Sequence, residues 1–138
     1  MVRKTHNETP PTPQAKPIVL ITGAAGGIGT ALTRALRPAY EVIAVDQRRT
    51  DAADASYEFD LTSADSVNSA LKEIADQHGR DIAAVVHLAA YFDFTGAASP
   101  LYNKVNVEGT EHLLAALREF SVDRFIYSST MLVHQPSS

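Results

Sequence analysis

Three glycines, Gly23, Gly26 and Gly29, follow a short apolar run and lead into a helical pattern. Gly23 permits a tight turn, Gly26 lets the backbone approach a diphosphate without a Cβ in the way, and Gly29 allows close helix–strand packing. The first N–H groups of a helix have no intrahelical partner and attract anions. The spacing therefore predicts a diphosphate site, although an ordinary strand-to-helix turn is the alternative. The remaining contacts predicted for this site are Ala25, Gly27 and Ile28.

An acidic residue ends the next apolar run of the chain. Asp46 lies 23 residues after Gly23, where an acid accepts hydrogen bonds from the ribose of a bound dinucleotide. Its carboxylate would repel the extra phosphate of NADP, so NAD is the favoured cofactor. Arg48 and Arg49 follow, and either could pair with that phosphate if the loop folded back, which leaves NADP open. The alternative is that both arginines are solvated.

Short β-branched runs alternate with helical patterns from residue 18 onward, which predicts a parallel sheet covered by helices. We predict strands at residues 18–21, 42–45, 57–60, 82–88 and 125–127. Helices are predicted from residue 27 to the stop at Pro38, from a cap at Thr62 or Ser63 to Gly79, and over residues 101–120. Right-handed crossovers give a Rossmann-type, doubly wound α/β sheet in the order 3-2-1-4-5.

Each of the three predicted helices shows a periodic apolar face. The first face comprises Ile28, Leu32, Ala35 and Leu36. The second comprises Val67, Ala70, Leu71 and Ile74. The third comprises Val105, Gly109, Leu113, Ala116, Leu117 and Phe120.

The prolines concentrate near the start of the chain, with four of seven in the first 17 residues. This composition predicts a disordered tail at residues 1–16 and one domain at residues 17–138. No stretch approaches the roughly 20 apolar residues that span a bilayer, and the tail lacks an apolar signal core. We therefore expect a cytoplasmic chain without a membrane partner.

Five ordered motifs between residues 18 and 133 resemble the extended short-chain dehydrogenase/reductases, the NAD-dependent epimerase/dehydratase family. They are Thr22 to Gly29 for TGxxGxxG, Asp60-Leu61, His87 to Ala90 for HLAA, Asn106 to Thr110 for NVxGT, and Tyr127 to Thr130 for the strand carrying an active-site Ser or Thr. The resemblance implies an enzyme that moves hydride between a carbinol carbon and nicotinamide. It implies a sugar nucleotide or another secondary alcohol as the small-molecule substrate.

The resemblance also assigns roles to residues after the glycine segment. Those implied to line the cofactor site are Asp60, Leu61, Leu88, Ala89, Ala90, Asn106 and Ser128. Thr130 takes the catalytic position, where its hydroxyl would position the substrate oxygen, because its own pKa is too high for a base. The alternatives are a turn-initiating Asp60, packing alanines, a solvent-facing Asn106 and a strand-terminal Thr130.

His87 could suggest a metal ligand or a general base because the ordinary pKa of histidine lies near neutrality. It lies in a predicted strand, with no cysteine or second histidine at ligand spacing. We therefore predict a structural histidine near the cofactor and no metal site.

The family's base is the tyrosine of a YxxxK motif, and none of the five tyrosines has lysine four residues later. Tyr102 comes nearest, with Lys104 two positions on, which in a helix points away from it. We therefore expect a truncated cofactor-binding part that is inactive by itself. Its last strand would have an uncovered edge, which favours association, and a full-length form would be a homo-oligomer. The alternative function is a non-catalytic module that binds or senses NAD(P).

The charge balance narrows the choice of partners. With 12 basic and 16 acidic residues and no long like-charge run, the chain lacks the pattern of a nucleic-acid binder. Cysteine is absent, which excludes a thiolate nucleophile and a disulfide framework. The aromatic loop at residues 91–96 follows the fourth predicted strand, and it is expected either to face a ring-shaped substrate or to pack under another part of the protein.

Overall fold

A five-stranded parallel sheet organises the part of the chain that this computed structural model describes, residues 14–130. The strands of these residues are β1 (Ile18–Thr22), β2 (Glu41–Asp46), β3 (Ala55–Glu58), β4 (Asp81–Ile82), β5 (Ala84–His87), β6 (Ser121–Val122) and β7 (Phe125–Tyr127). The main sheet has the order β3-β2-β1-β5-β7, and β4 and β6 form a separate parallel pair. This order confirms the predicted Rossmann-type doubly wound sheet, with β5 and β7 as its fourth and fifth predicted strands.

Helices cover both faces of the sheet. They are α1 (Gly27–Leu36), α2 (Ala64–His78), a π-helical segment (Tyr102–Gly109), α3 (Thr110–Ala116) and a 3-10 turn (Leu117–Glu119). One core lies between the sheet and α2 with α3, and a smaller core lies beneath α1. Each strand of the centre contributes side chains to both cores, because successive residues of a strand point to opposite faces.

Both ends of α2 follow from local chemistry. The hydroxyl of Ser63 accepts a hydrogen bond from the Ser66 N–H at 3.2 Å, which caps the first turn. Gly79 ends the helix with φ at +86°, a backbone conformation that favours glycine. The predicted apolar side of α2 is buried, as expected.

Two strand predictions were wrong in their bounds. The third strand lies two residues earlier than predicted, because β3 pairs with β2 from Ile43 opposite Ala55 to Asp46 opposite Glu58, and the ladder ends where β2 ends. The predicted strand at 82–88 is divided at Ala83, whose N–H donates to the Ile18 carbonyl at 2.9 Å. The residues before Ala83 pair instead with β6.

The helix predictions need two corrections. Ile28 is not on the buried side of α1, since 75% of it is exposed, and Ala35 is exposed as well. The predicted residues Leu32 and Leu36 do pack against the core, and they are joined by the buried Gly29 and Thr33. The predicted helix at 101–120 is not uniform: it begins as the π-helical segment and ends in the 3-10 turn, although its predicted apolar face does contact the core.

Some predictions concern residues outside the described range. The predicted tail at residues 1–16 lies outside it except for residues 14–16. Within residues 14–130, no helix has the length and apolar character needed to cross a membrane.

Candidate functional site

The glycine segment forms a tight turn between β1 and α1. Gly23 has φ at +70°, and a Cβ there would lie 2.7 Å from the Ala89 nitrogen. A Cβ on Gly29 would lie 2.7 Å from the Ala24 Cα and closer still to the Gly23 carbonyl oxygen. Side chains at either position would therefore force the turn, the helix and the end of β5 apart.

The start of α1 is open where the turn ends. Gly26 is the N-cap residue, and no side chain caps the helix or places an acid in its first turn. A Cβ on Gly26 would meet only the Gly23 oxygen, at 3.4 Å, and one on Gly27 would meet nothing within 4 Å. Because the first N–H groups of a helix have no intrahelical partner, this end can hold an anion such as a diphosphate.

Asp46 and Arg48 bind the two backbone polar groups of Ala25 in that turn. The Ala25 N–H donates to the Asp46 Oδ2 at 2.9 Å, and the Arg48 Nη2 donates to the Ala25 carbonyl at 3.2 Å. The Gln47 N–H donates to the Asp46 Oδ1 at 2.6 Å. A carboxylate accepts about four hydrogen bonds, so roughly two positions on Asp46 remain for the hydroxyl groups of a ligand.

A cleft of about 340 Å³ runs along the carboxyl ends of β1, β2 and β5. Eight predicted site residues line it: Gly23, Gly26, Asp46, Asp60, Leu61, Leu88, Ala89 and Ala90. The other lining residues were not predicted as cofactor contacts, although one of them belongs to the loop at residues 91–96 that was expected to face a substrate; they are Gln47, Phe59, Tyr91 and Val105. The predicted residues that do not line this cleft are Ala25, Gly27, Ile28, Gly29, Asn106, Ser128 and Thr130.

Asp60 begins a turn at the far end of this cleft. Its Oδ1 accepts from the Thr62 hydroxyl at 2.7 Å and from the Thr62 N–H at 2.9 Å. These two hydrogen bonds hold the pKa of the Asp60 carboxyl below its ordinary value, so the group is ionised at neutral pH. The turn-initiating role that sequence left as an alternative is present, and it occupies one oxygen of the carboxylate.

His87 is buried, with 1% of its surface exposed, between two threonines. Its Nε2 lies 3.0 Å from the Thr110 hydroxyl, which donates its own proton to the Asn106 carbonyl at 2.8 Å. The Thr110 oxygen therefore accepts from Nε2–H, and Nδ1 accepts from the Thr22 hydroxyl at 2.6 Å. Burial lowers the pKa of His87 to about 4, which keeps the ring neutral.

This arrangement gives His87 a positioning role. The Thr22 oxygen accepts in turn from the Leu88 and Ala89 N–H groups, each at 3.2 Å. Those two residues line the cleft, so the network fixes the wall that follows β5. Thr22 and Thr110 lie in the motifs recognised above, yet only the folded contacts reveal their roles.

Asn106 holds the loop after β5. Its Oδ1 accepts from the Tyr91 N–H at 2.7 Å, and its Nδ2 donates to the Tyr91 carbonyl at 3.0 Å. The solvent-facing alternative for Asn106 does not apply. Ser128 and Thr130 lie in the exposed segment after β7, where the Ser128 N–H approaches the His87 carbonyl at 3.5 Å.

A parallel sheet with a glycine turn and an acid at its carboxyl edge defines a dinucleotide-binding type of fold. The chain belongs to the NAD-dependent epimerase/dehydratase family, whose model matches residues 19–137.

One curated relative is the L-arabinose 1-dehydrogenase (NAD(P)(+)) of Haloferax volcanii. It is 32% identical over 117 residues, which are 85% of this chain and 42% of that protein. The chain therefore spans less than half the length of this relative.

Two solved structures have similar folds. The 3-alpha-hydroxysteroid dehydrogenase of Pseudomonas sp. B-0831, complexed with NADH, gives a TM-score of 0.68 at 28% identity, covering 86% of this chain and 50% of that one. The UDP-glucose 4-epimerase of Thermus thermophilus, in complex with NAD, gives a TM-score of 0.68 at 27% identity. The match covers 82% of this chain and 37% of that one.

Proposed function

We propose that this chain binds NAD in the cleft described above and forms the cofactor-binding part of an oxidoreductase or epimerase. The observation that carries the proposal is the open start of α1 beside the Asp46 carboxylate. One site is suited to a diphosphate and the other to a ribose, and they are adjacent, because the Ala25 N–H, just before the start of α1, donates to Asp46.

The residues present fit such a cofactor. Backbone N–H groups at Gly27 and Ile28 would hold the diphosphate, and Asp46 would accept from the adenosine ribose hydroxyls. Phe59 and Leu61 offer apolar surface for the adenine ring, beside the ionised Asp60. The small side chains of Ala89 and Ala90 leave room along the opposite wall.

When bound, the nicotinamide accepts hydride from a carbinol carbon. We propose that Thr130 positions the substrate oxygen by a hydrogen bond and that Ser128 lies along the cofactor. The base that removes the proton is a separate group, because a threonine hydroxyl has too high a pKa for that step. No tyrosine in residues 1–138 has lysine four positions later to act as the family's base.

NADP is the second candidate cofactor, and the position of Arg48 favours it. The loop after β2 does fold back, so that the Arg48 guanidinium reaches the Ala25 carbonyl beside Asp46. A guanidinium there could pair with the 2′-phosphate of NADP, whereas the negative charge of the Asp46 carboxylate would repel that phosphate. The name of the Haloferax relative, which includes NAD(P)(+), agrees with a site that takes both.

The proposed substrate is a secondary alcohol, with a sugar or sugar nucleotide preferred. The sequence relative acts on L-arabinose according to its name, and one structural neighbour is a UDP-glucose epimerase. The 3-alpha-hydroxysteroid dehydrogenase among the neighbours has the same fold, but its name gives a hydroxysteroid instead of a sugar. A sugar is preferred because the arabinose dehydrogenase has the higher sequence identity.

Fluorescence titration with NADH and NADPH tests the cofactor assignment. We expect wild type to bind NADH more tightly than NADPH, Asp46→Ala to weaken NADH and reduce that preference, and Arg48→Ala to weaken NADPH alone. Arg34→Ala, on the exposed side of α1, is the matched control for loss of a positive charge. An Asp46→Ala variant with unchanged preference would remove Asp46 from the site.

A non-catalytic NAD(P)-binding module is the alternative function, and residues 1–138 contain no tyrosine with lysine four positions later. The module and the cofactor-binding part of an enzyme both bind NADH, and both give no turnover of L-arabinose when residues 1–138 act alone. Measured turnover by this chain at 340 nm would exclude the module.

A further inference from the structure

The wall of the cleft at Leu61 is held from the side of α3. The His112 Nδ1 lies 2.7 Å from the Leu61 carbonyl oxygen, and since a carbonyl only accepts, this nitrogen carries the proton and donates. Leu61 itself is 5% exposed and lines the cleft. His112 is outside that lining, so its contact reaches the cleft only through Leu61.

Gly109, which lies about one helical turn before His112, also approaches Leu61. A Cβ on Gly109 would lie 2.9 Å from the Leu61 Cβ and 3.3 Å from its carbonyl oxygen. The absence of a side chain there lets the helix approach closely, and the hydrogen bond from His112 then fixes the peptide of Leu61 in one orientation. These two contacts set how far Leu61 projects into the cleft.

We infer that His112 is a positioning residue for the adenine end of the cofactor, acting through the Leu61 carbonyl. The inference rests on the proposed function, since it assigns Leu61 to the adenine wall. Loss of the donor would leave the Leu61 peptide without its partner and let the wall shift. Affinity for the adenosine part of the ligand would fall while the diphosphate site at α1 stayed intact.

The chemistry of the side chain provides a matched set of variants. The amide nitrogen of asparagine is bonded to Cγ, as the Nδ1 of histidine is, so His112→Asn keeps a donor at the same distance along the side chain. His112→Leu has a similar branched shape without a donor, and His112→Asp offers only acceptors at neutral pH. Ile74→Val, in the buried face of α2, controls for a loss of stability without a change at the cleft.

The experiment titrates the full 138-residue chain and each variant with NADH and with AMP, below the melting temperature of every variant. We expect His112→Leu and His112→Asp to weaken both ligands by roughly fivefold to tenfold, the effect of losing one hydrogen bond. His112→Asn and Ile74→Val should stay within about twofold of wild type, because neither removes that bond.

The outcomes separate the inference from the proposed function. If wild type binds both ligands and His112→Leu binds them equally well, the positioning role of His112 is wrong while NAD binding stands. The same conclusion follows if asparagine fails to restore the affinity that leucine loses. If wild type binds neither NADH nor AMP, the proposed function fails and the inference fails with it.

Discussion

At the scale of single residues, His87 makes stability depend on pH. Its pKa is about 4 in the folded chain and about 6.5 when exposed, so the unfolded chain binds the additional proton between these values. The free energy of unfolding should therefore fall as pH drops from about 6.5 to about 4, by up to about 3 kcal/mol. Urea denaturation at several pH values measures this decrease in the free energy of unfolding.

The control for this prediction is His87→Gln, which should be less stable at neutral pH and lose that part of the pH dependence. Carboxyl groups titrate in the same range in both proteins, so the difference between the two curves isolates the histidine. Identical curves of unfolding free energy against pH for wild type and His87→Gln would show that protonation of His87 does not contribute to the loss of stability.

The two glycines of α1 give a second prediction at this scale. Gly29→Ala should destabilise the fold by about 1–3 kcal/mol, because its Cβ would press on Gly23 and Ala24. Gly27→Ala, in the same turn, has open space and should be neutral or stabilising by up to about 1 kcal/mol. Thermal and urea melts of both variants measure this, and equal effects would contradict the packing argument.

Residue types with strong local rules were predictable from sequence. Gly23 and Gly29 occupy the tight turn and the close contact expected of them, because only glycine suits those positions. Ile28 was misplaced because apolar periodicity does not register buried residues that are small or polar, such as Gly29 and Thr33 of α1. The partners of His87 lie 65 and 23 residues away, a distance that local pattern cannot cover.

At the scale of elements, the π-helical segment holds the cleft through Asn106. Asn106→Ala should lower the free energy of unfolding by about 1–3 kcal/mol, because it leaves the Tyr91 N–H and carbonyl without this partner. Asn103→Ala is the matched control in the same segment. Its side chain is exposed and, among residues 14–130, donates a hydrogen bond only to Glu108, so we expect a change within about 0.5 kcal/mol.

Urea denaturation of the two variants provides the comparison, and NADH titration shows whether the cleft changes as well. We expect weaker NADH binding in Asn106→Ala, since Tyr91 lines the cleft. Two variants of equal stability would mean that the Asn106 contacts contribute little to the fold.

Element types and order followed from sequence more reliably than element bounds. The capping hydroxyl of Ser63 and the positive φ of Gly79 delimit α2, and both are signals of residue type. The bounds of β3 depend instead on where β2 ends, and the break at Ala83 lies where the pairing partner changes from β6 to β1. Such pairing is a property of the folded sheet.

At the scale of the molecule, the main sheet of the described residues ends at β7, whose three residues are all exposed. Ile126 has 49% of its surface exposed, next to an apolar groove that also includes Leu36 and Val86. Edge strands of this kind pair with other chains. We predict that the purified chain self-associates and that Ile126→Lys shifts it toward monomer.

Sedimentation velocity over a range of concentrations measures this association. Leu114→Lys is the control, because Leu114 is 46% exposed but lies on α3 and not on β7. A monomeric wild type at high concentration, or an equal effect of both lysines, would contradict the assignment of β7 as the associating surface.

The central claim is that the start of α1 and Asp46 hold a dinucleotide, and a ¹H–¹⁵N NMR titration with NADH tests it most directly. We predict chemical-shift changes at the amides of residues 23–29, Asp46, Leu61 and Ala89, while Gly79 and Gly96 stay unchanged. Unchanged amides at residues 23–29, or changes confined to the groove beside Ile126, would contradict it.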